Sequence, residues 1–371
     1  MPRQISTALL RPGMILARSL YDGQGRVLLQ KGVSLKDRYI DKIKDGYASI
    51  YIDDEISEGI EIPQVITEQL RFQMQQTLAS EWDTIQRTLS VQRPTSSKLF
   101  AKSLRDQVKQ MIQTVQHTTI IKEDLASLAG YDNVTYVHSM NVAIYSLLIG
   151  ASLFLSDSMM LDLGLGALLH DIGKIFVPTE VLNKPDKLTA DEYKLMQTHA
   201  ELGHNFLAKQ PELSYLIAHC AFQHHERLNG KGYPRGLRGD EIHLFGRIIA
   251  VADVYDAMIM HRPYRRGIVP SEAMEFLYSR ADSEFDLKIV SLFSKRVAMF
   301  PIGSEVHLSD GRNAIVVELH ENIPGRPVVR VFQDATGKEV APYAIDLATQ
   351  LNITILSSLD AAKRTLPGQL S

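Results

Sequence analysis

The sequence predicts a mainly α protein: a helical domain preceded by a small α+β N-terminal domain and a helical linker, and followed by a small β appendage. Three observations carry this. Apolar residues return at three-to-four spacing through the middle of the chain, and short apolar runs broken by glycine and proline turns occupy both ends. Nine of the twelve histidines fall between His138 and His261, a third of the 371 residues. That concentration turns a fold prediction into a functional one, because imidazoles and carboxylates together bind borderline divalent metals.

Composition sets the outer bounds. An apolar content of 45% is enough for an ordinary buried core, and the length fits two or three domains of a globular, soluble protein. The formal charge of -3 gives no electrostatic footprint for duplex nucleic acid. The longest apolar stretch, Met140 to Leu155, is interrupted by Asn141, Ser146, Gly150 and Ser152. It falls short of the ~20 residues that cross a bilayer, so it reads as a core helix and no transmembrane segment is expected. MPRQISTALLRPG lacks a signal peptide's apolar region, and the one cysteine, Cys220, excludes an internal disulfide. The expected location is the cytoplasm.

In chain order, residues 1–60 read as the small α+β domain. Their apolar runs break at Pro12-Gly13, Asp22-Gly23-Gln24-Gly25, Lys31-Gly32 and Gly46, which predicts strands with one helix over about Leu35 to Lys44. Residues 61–121 form the helical linker, with one stripe at Ile66, Leu70, Met74, Leu78, Trp82, Ile85 and Leu89 and a second at Leu104, Val108, Met111 and Val115. Arg93-Pro94-Thr95-Ser96-Ser97 separates them, since proline cannot continue the helix. The stripes leave two packings open, against their own domain or between the subunits of a homodimer.

Residues 122–300 carry the chemistry, in helices expected to end at His170, span His199 and reach His225. After Pro301, strands are predicted at Val306–Leu308, Ile315–Val317 and Val328–Phe332, with turns at Asp310-Gly311, Pro324-Gly325 and Thr336-Gly337. This is the β appendage, residues 301–356, and residues 357–371 read as a polar tail.

Four motifs stand in the middle region: LLHDIGK at 168–174, PTEVLNKPDKLTADE ending at Glu192, HHERLNGKGYP at 224–234, and AVADVYDAM followed by RPYR at 262–265. Over roughly residues 125–300 the chain resembles the HD-GYP domain, a bacterial branch of the HD metal-dependent phosphohydrolases. The N-terminal region resembles, more loosely, a small domain often found in front of HD-GYP domains. The resemblance implies an all-helical catalytic domain that hydrolyses cyclic di-GMP, with linear pGpG as the product and further cleavage to GMP left open.

It also implies a ligand set. The HD superfamily pattern maps to His138, His170, Asp171 and Asp253, and the HD-GYP additions to His199, His224 and His225, with Asp171 bridging two divalent metals. Counting Asp171 twice, each ion receives four protein donors, and a bridging hydroxide and a substrate oxygen would bring it towards six-coordination, which suits iron or manganese better than tetrahedral zinc. Some members carry a glutamate one turn before the first histidine for a third metal; Val134 stands there, so two metals are expected. His224 and His225, read as adjacent on a helix, would diverge by about 100° and share an ion only at the helix edge. His117, His204, His219, His243, His261, His307 and His320 match no ligand position and read as structural or solvated.

Lys174, one turn after His170, is read as donor to the leaving 3′ oxygen, and Arg262 and Arg265 as two-point phosphate binders on either side of Tyr264. Tyr233 is read as touching guanine or a protein partner, with Glu226 and Arg227 organising its loop. Two readings compete with cyclic di-GMP hydrolysis: action on another cyclic dinucleotide, and a non-catalytic scaffold that binds nucleotide or a diguanylate cyclase through the GYP loop.

Overall fold

The computed structural model describes residues 2–21, 26–47, 49–90, 98–123, 125, 134–184, 186–260, 267–321 and 323–358. The N-terminal region contains β1 (Pro2–Ser6), β2 (Ile15–Leu16), β3 (Leu20–Tyr21), β4 (Val27–Leu29), α1 (Asp37–Gly46) and β5 (Ser49–Asp53). β5 lies between β1 and β2 in an antiparallel sheet, and β3 pairs with β4. α1 closes the sheet by burying Ile40 and Ile43 against Leu16, Ile50 and Ile52. This helix begins two residues later than the sequence predicts. Leu35 is held in an extended pairing instead, donating to Met14 O at 2.7 Å and accepting from Gly13 N at 2.9 Å.

α2 (Glu68–Ser90) and α3 (Lys98–Gln116) direct their apolar stripes into the main core. Met74, Leu78, Leu104, Val108 and Met111 are fully buried there, beside α4 (Val134–Ser152) and α5 (Asp157–Leu168). Of the two packings left open by the stripes, the chain uses its own core. α4 is apolar on nearly every side because it is the central helix, touched by α2, α3, α5 and by two later helices, α10 and α12.

The remaining helices are α6 (Thr179–Leu182), α7 (Ala190–Gln197), α8 (His199–Leu207), α9 (Tyr215–Gln223), α10 (Leu244–Ile259), α11 (Pro270–Ser279) and α12 (Leu287–Ser294). Local chemistry sets several of their starts. Thr189 and Glu192 cap α7 reciprocally, and the Asp286 carboxylate accepts from the first free amides of α12. Two helix ends differ from expectation: α8 starts at His199 rather than spanning it, and α9 stops at Gln223, so His224 and His225 follow the helix.

Five antiparallel strands end the described chain: β6 (Glu305–Leu308), β7 (Asn313–Glu318), β8 (Val328–Gln333), β9 (Glu339–Asp346) and β10 (Ile355–Ser358), in the order β10-β6-β7-β8-β9. The sequence reading names three of them. β9 is an edge strand exposed along most of its length and carries no apolar alternation, and β10 runs into the stretch read as tail yet pairs with β6.

This sheet also holds the N-terminal region. Gln4 N donates to Gly303 O at 3.1 Å, Arg3 bridges Asp54 and Glu305, and Arg330 donates to Ile56 O at 3.1 Å. Ile60 joins the core of the sheet itself. Among the described residues, no helix is long and apolar enough to cross a membrane.

Candidate metal centre

Three histidines of the centre stand just past the C-terminus of a helix, where carbonyls have lost their intrahelical partners. His170 follows α5, His199 follows α7 and His224 follows α9. Each turns Nδ1 back onto the carbonyl three residues earlier: Ala167 O at 2.7 Å, Met196 O at 2.6 Å and Ala221 O at 2.9 Å. A carbonyl only accepts, so Nδ1 carries the proton and Nε2 presents its lone pair inward. One device thus satisfies a helix end and aims a ligand. It also leaves the negative C-terminal ends of α5 and α9 beside His170 and His224, which favours a cation there.

His138, on α4, obtains the same orientation from α10. Its Nδ1 lies 2.7 Å from Asp256 Oδ2, while Asn141 Nδ2 donates to Asp256 Oδ1 at 2.9 Å. Its Nε2 faces Asp253 Oδ1 at 3.2 Å and Asp171 Oδ2 at 3.8 Å. Sequence reasoning missed Asp256. The available signal was its position three residues after Asp253, on the same face of α10.

Asp171 sits between two groups of donors. With His138 and His170 it forms one set, and with His199, His224 and His225 another, the ligand atoms of each set lying within 4.8 Å of one another. Asp253 faces the first set through His138 and His170, at 3.2 and 3.8 Å, and its other oxygen is 4.0 Å from His225 Nδ1. His170 Nε2 and Asp171 Oδ1 are buried and have no hydrogen-bond partner. Buried polar atoms are rarely left so, and nitrogen and carboxylate donors around orphaned atoms suit a divalent metal.

The charges agree with that. Burial alone would raise the Asp171 carboxyl, but Lys174, His170 and His199 outweigh it and hold it well below the usual carboxylate range. Burial likewise opposes ionisation of Asp253, and His138 reverses the balance. For His224 and His225 burial dominates, and it keeps both well below the ordinary histidine value, hence neutral with a lone pair to give. His138 is the exception: burial resists its proton, yet Asp253 and Asp256 push its pKa up to about 9.

Lys174 lies in the short 3-10 turn Ile172–Phe176 and pairs with Asp171 Oδ2. Gly173, between them, allows that turn to press on α8. A Cβ there would stand 1.9 Å from the His199 carbonyl oxygen. Tyr233 stacks on His225 with ring centroids 4.5 Å apart. Its loop is tied by Glu226, which accepts from Arg235 N at 2.8 Å and Leu237 N at 2.9 Å, and by Arg227, which donates to His224 O at 3.1 Å. Gly232 fits beneath them because a Cβ would come within 2.5 Å of the Glu226 and Arg227 backbone.

Arg262, Tyr264 and Arg265, with His261, lie outside the described residues. Five other histidines have separate partners: His204 and His219 pack with Tyr215, His243 caps α10, His307 contacts Asn313 and His320 contacts Asp346.

Comparison with known proteins gives these residues a context. The chain is 38% identical over 221 residues to a protein of Pseudomonas aeruginosa named as a cyclic di-GMP phosphodiesterase, covering 60% of this chain and 53% of that one. It is 39% identical over 164 residues to 3'3'-cGAMP-specific phosphodiesterase 3 of Vibrio cholerae, covering 44% and 35%. It is 36% identical over 177 residues to a cyclic di-GMP phosphodiesterase of Thermotoga maritima, covering 47% and 48%. The chain therefore spans about half, or less, of the length of these relatives. The family model of a KOW domain associated with HD domains matches residues 305–366, over the C-terminal sheet. The HD domain model matches residues 98–289, more than half of the chain and every helix that contributes a donor, and the chain belongs to the HD domain family.

Proposed function

We propose that this chain is a metal-dependent phosphodiesterase that hydrolyses a cyclic dinucleotide, cyclic di-GMP first, to linear pGpG and onward to GMP. The observation that supports it best is the position of Asp171, common to both donor sets with Oδ1 buried and without a hydrogen bond. His138, His170 and Asp253 would hold one ion with it, and His199, His224 and His225 the other. Iron or manganese suits such nitrogen-rich sets with positions left for water and substrate. When bound, the metal pair supplies a hydroxide by lowering the pKa of bridging water towards ~7 and neutralises charge on the phosphoryl oxygens.

The chain's own groups do the rest. Asp171 spaces the two sites and keeps its charge because Lys174 and the histidines outweigh the effect of burial. Lys174, a quarter exposed, is proposed to turn from Asp171 towards the leaving 3′ oxygen and protonate it. Tyr233, braced on His225, offers a ring face to a guanine, while Arg262 and Arg265 beside Tyr264 are proposed to grip the phosphates. A cytoplasmic location and pairing as a homodimer belong to the same proposal.

The relatives named for 3'3'-cGAMP support a second reading, in which one guanine is replaced by adenine. The scaffold reading, with a diguanylate cyclase as partner, would be marked by missing donors, and all seven are present. The test is anaerobically purified protein loaded with iron or manganese and incubated with cyclic di-GMP and with 3'3'-cGAMP, products resolved by chromatography. Faster conversion of cyclic di-GMP is expected. Faster conversion of 3'3'-cGAMP selects the second reading, and binding of either without turnover selects the scaffold.

A further inference from the structure

Between the N-terminal sheet and the first turns of α2 lies a cleft whose empty space, open solvent included, is about 650 Å³. None of its lining residues belongs to the metal centre. Tyr21, Tyr47, Tyr51 and Phe72 give it aromatic walls, and four charged residues face it: Arg18, Glu68, Arg71 and Glu123. Three of these side chains have hydrogen-bond partners. Arg18 Nη1 donates to Glu123 Oε2 at 3.0 Å, and Glu123 Oε1 accepts from Val65 N at 2.9 Å. Glu68 accepts from the Tyr21 hydroxyl at 2.9 Å and from Gln64 at 3.3 Å.

Arg71 is different. Its Nη1 is shielded from solvent and has no hydrogen-bond partner. Burial also draws its pKa down, and the nearby Glu123 and Glu68 carboxylates offset that only in part. An unmet guanidinium N–H in a lined cavity is costly unless something arrives to accept from it.

We propose that this cavity binds a small organic carboxylate with an apolar body about the size of one ring, the carboxylate on Arg71 and the body against the tyrosines and Phe72. Glu68 and Glu123 border the same space and would repel a dianion such as phosphate, whereas one carboxylate answers one unmet donor. Aromatic walls with a small number of placed polar groups are the usual make-up of a small-molecule site. The occupant would touch the N-terminal sheet, α2 and Glu123, whose neighbour Ile121 bridges to Val297 in the helical domain.

The experiment is calorimetric titration of the full chain with benzoate, phenylacetate and hexanoate, each set against its neutral amide. At least one acid is expected to bind saturably while its amide does not. Arg71→Gln should weaken that binding by at least about tenfold, the loss of one charge-assisted pair. Gln75→Trp, which narrows the cavity from α2 and leaves Arg71 in place, should weaken it as much, and it carries the test if the first variant does not fold. No binding by any acid, equal binding of acid and amide, unchanged affinity in a folded variant, or tighter binding of inorganic phosphate would each overturn the proposal.

Discussion

Asp256 accepts from His138 on one oxygen and from Asn141 on the other, so it fixes which nitrogen of His138 faces the centre. Asp256→Asn keeps the shape and removes the charge. It should weaken metal binding by about 10- to 100-fold, read by metal titration, with the circular dichroism unchanged. An unaltered affinity would show that the ring is held by packing alone. Lys174 makes a different prediction, resting on the proposed activity. Lys174→Ala should lower kcat on a cyclic dinucleotide far more than on bis(p-nitrophenyl) phosphate, whose leaving group needs little protonation. Equal losses on both substrates would leave Lys174 an electrostatic partner of Asp171. The seven proposed donor positions came from the family resemblance, whose motifs restrict residue type at each place, and the fold brings those residues together. Asp256 was not legible in the sequence, since a carboxylate one turn after another reads as any polar residue on a helix. The unmet Nη1 of Arg71 was less visible still, because lacking a partner is a property of the folded surroundings and not of a motif.

α5, α7 and α9 each end where a donor begins, and the turn after α5 is pressed against the start of α8. The position of the His199 ring therefore depends on a close backbone approach at Gly173. Gly173→Ala places a methyl 1.9 Å from the His199 carbonyl, and that backbone atom cannot swing aside. The variant should lose about 1–3 kcal/mol of stability, the usual range for overpacking, and much of its metal. Thermal unfolding and metal analysis of the purified variant check both, and full metal content at normal stability would refute the dependence. Helix stripes were legible here for a simple reason: periodicity reports that a face is buried. It does not report against what, so α2 and α3 could not be assigned to core or subunit interface without their neighbours. His224 and His225 were misplaced within a helix because apolar spacing continues up to Gln223 with no glycine or proline to mark the end.

The Arg18–Glu123 pair joins the N-terminal region to the approach to α4, with both side chains almost removed from solvent. Arg18→Met would leave Glu123 buried without its cation and should cost about 3–5 kcal/mol in chemical denaturation. A loss near zero would mean that Glu123 finds water or Arg71 instead. No sequence pattern announces such a pair, since residues 105 positions apart share no local signal. The contacts of Arg3, Gln4 and Arg330 are of the same kind, and together they change what sort of object the polypeptide is. Its early strands grip its late sheet, and the long helices between them are packed into the core, so the backbone is drawn into a ring fastened by noncovalent clasps. A ring opened at one place does not come apart. Two polypeptides divided between Ser90 and Lys98, expressed together, should copurify and melt in one transition, and recovery of independent halves would show the clasps to be weak. It follows that the first sixty residues are no pendant swinging from a tether: a strain applied to them enters the helical domain from both directions along the chain.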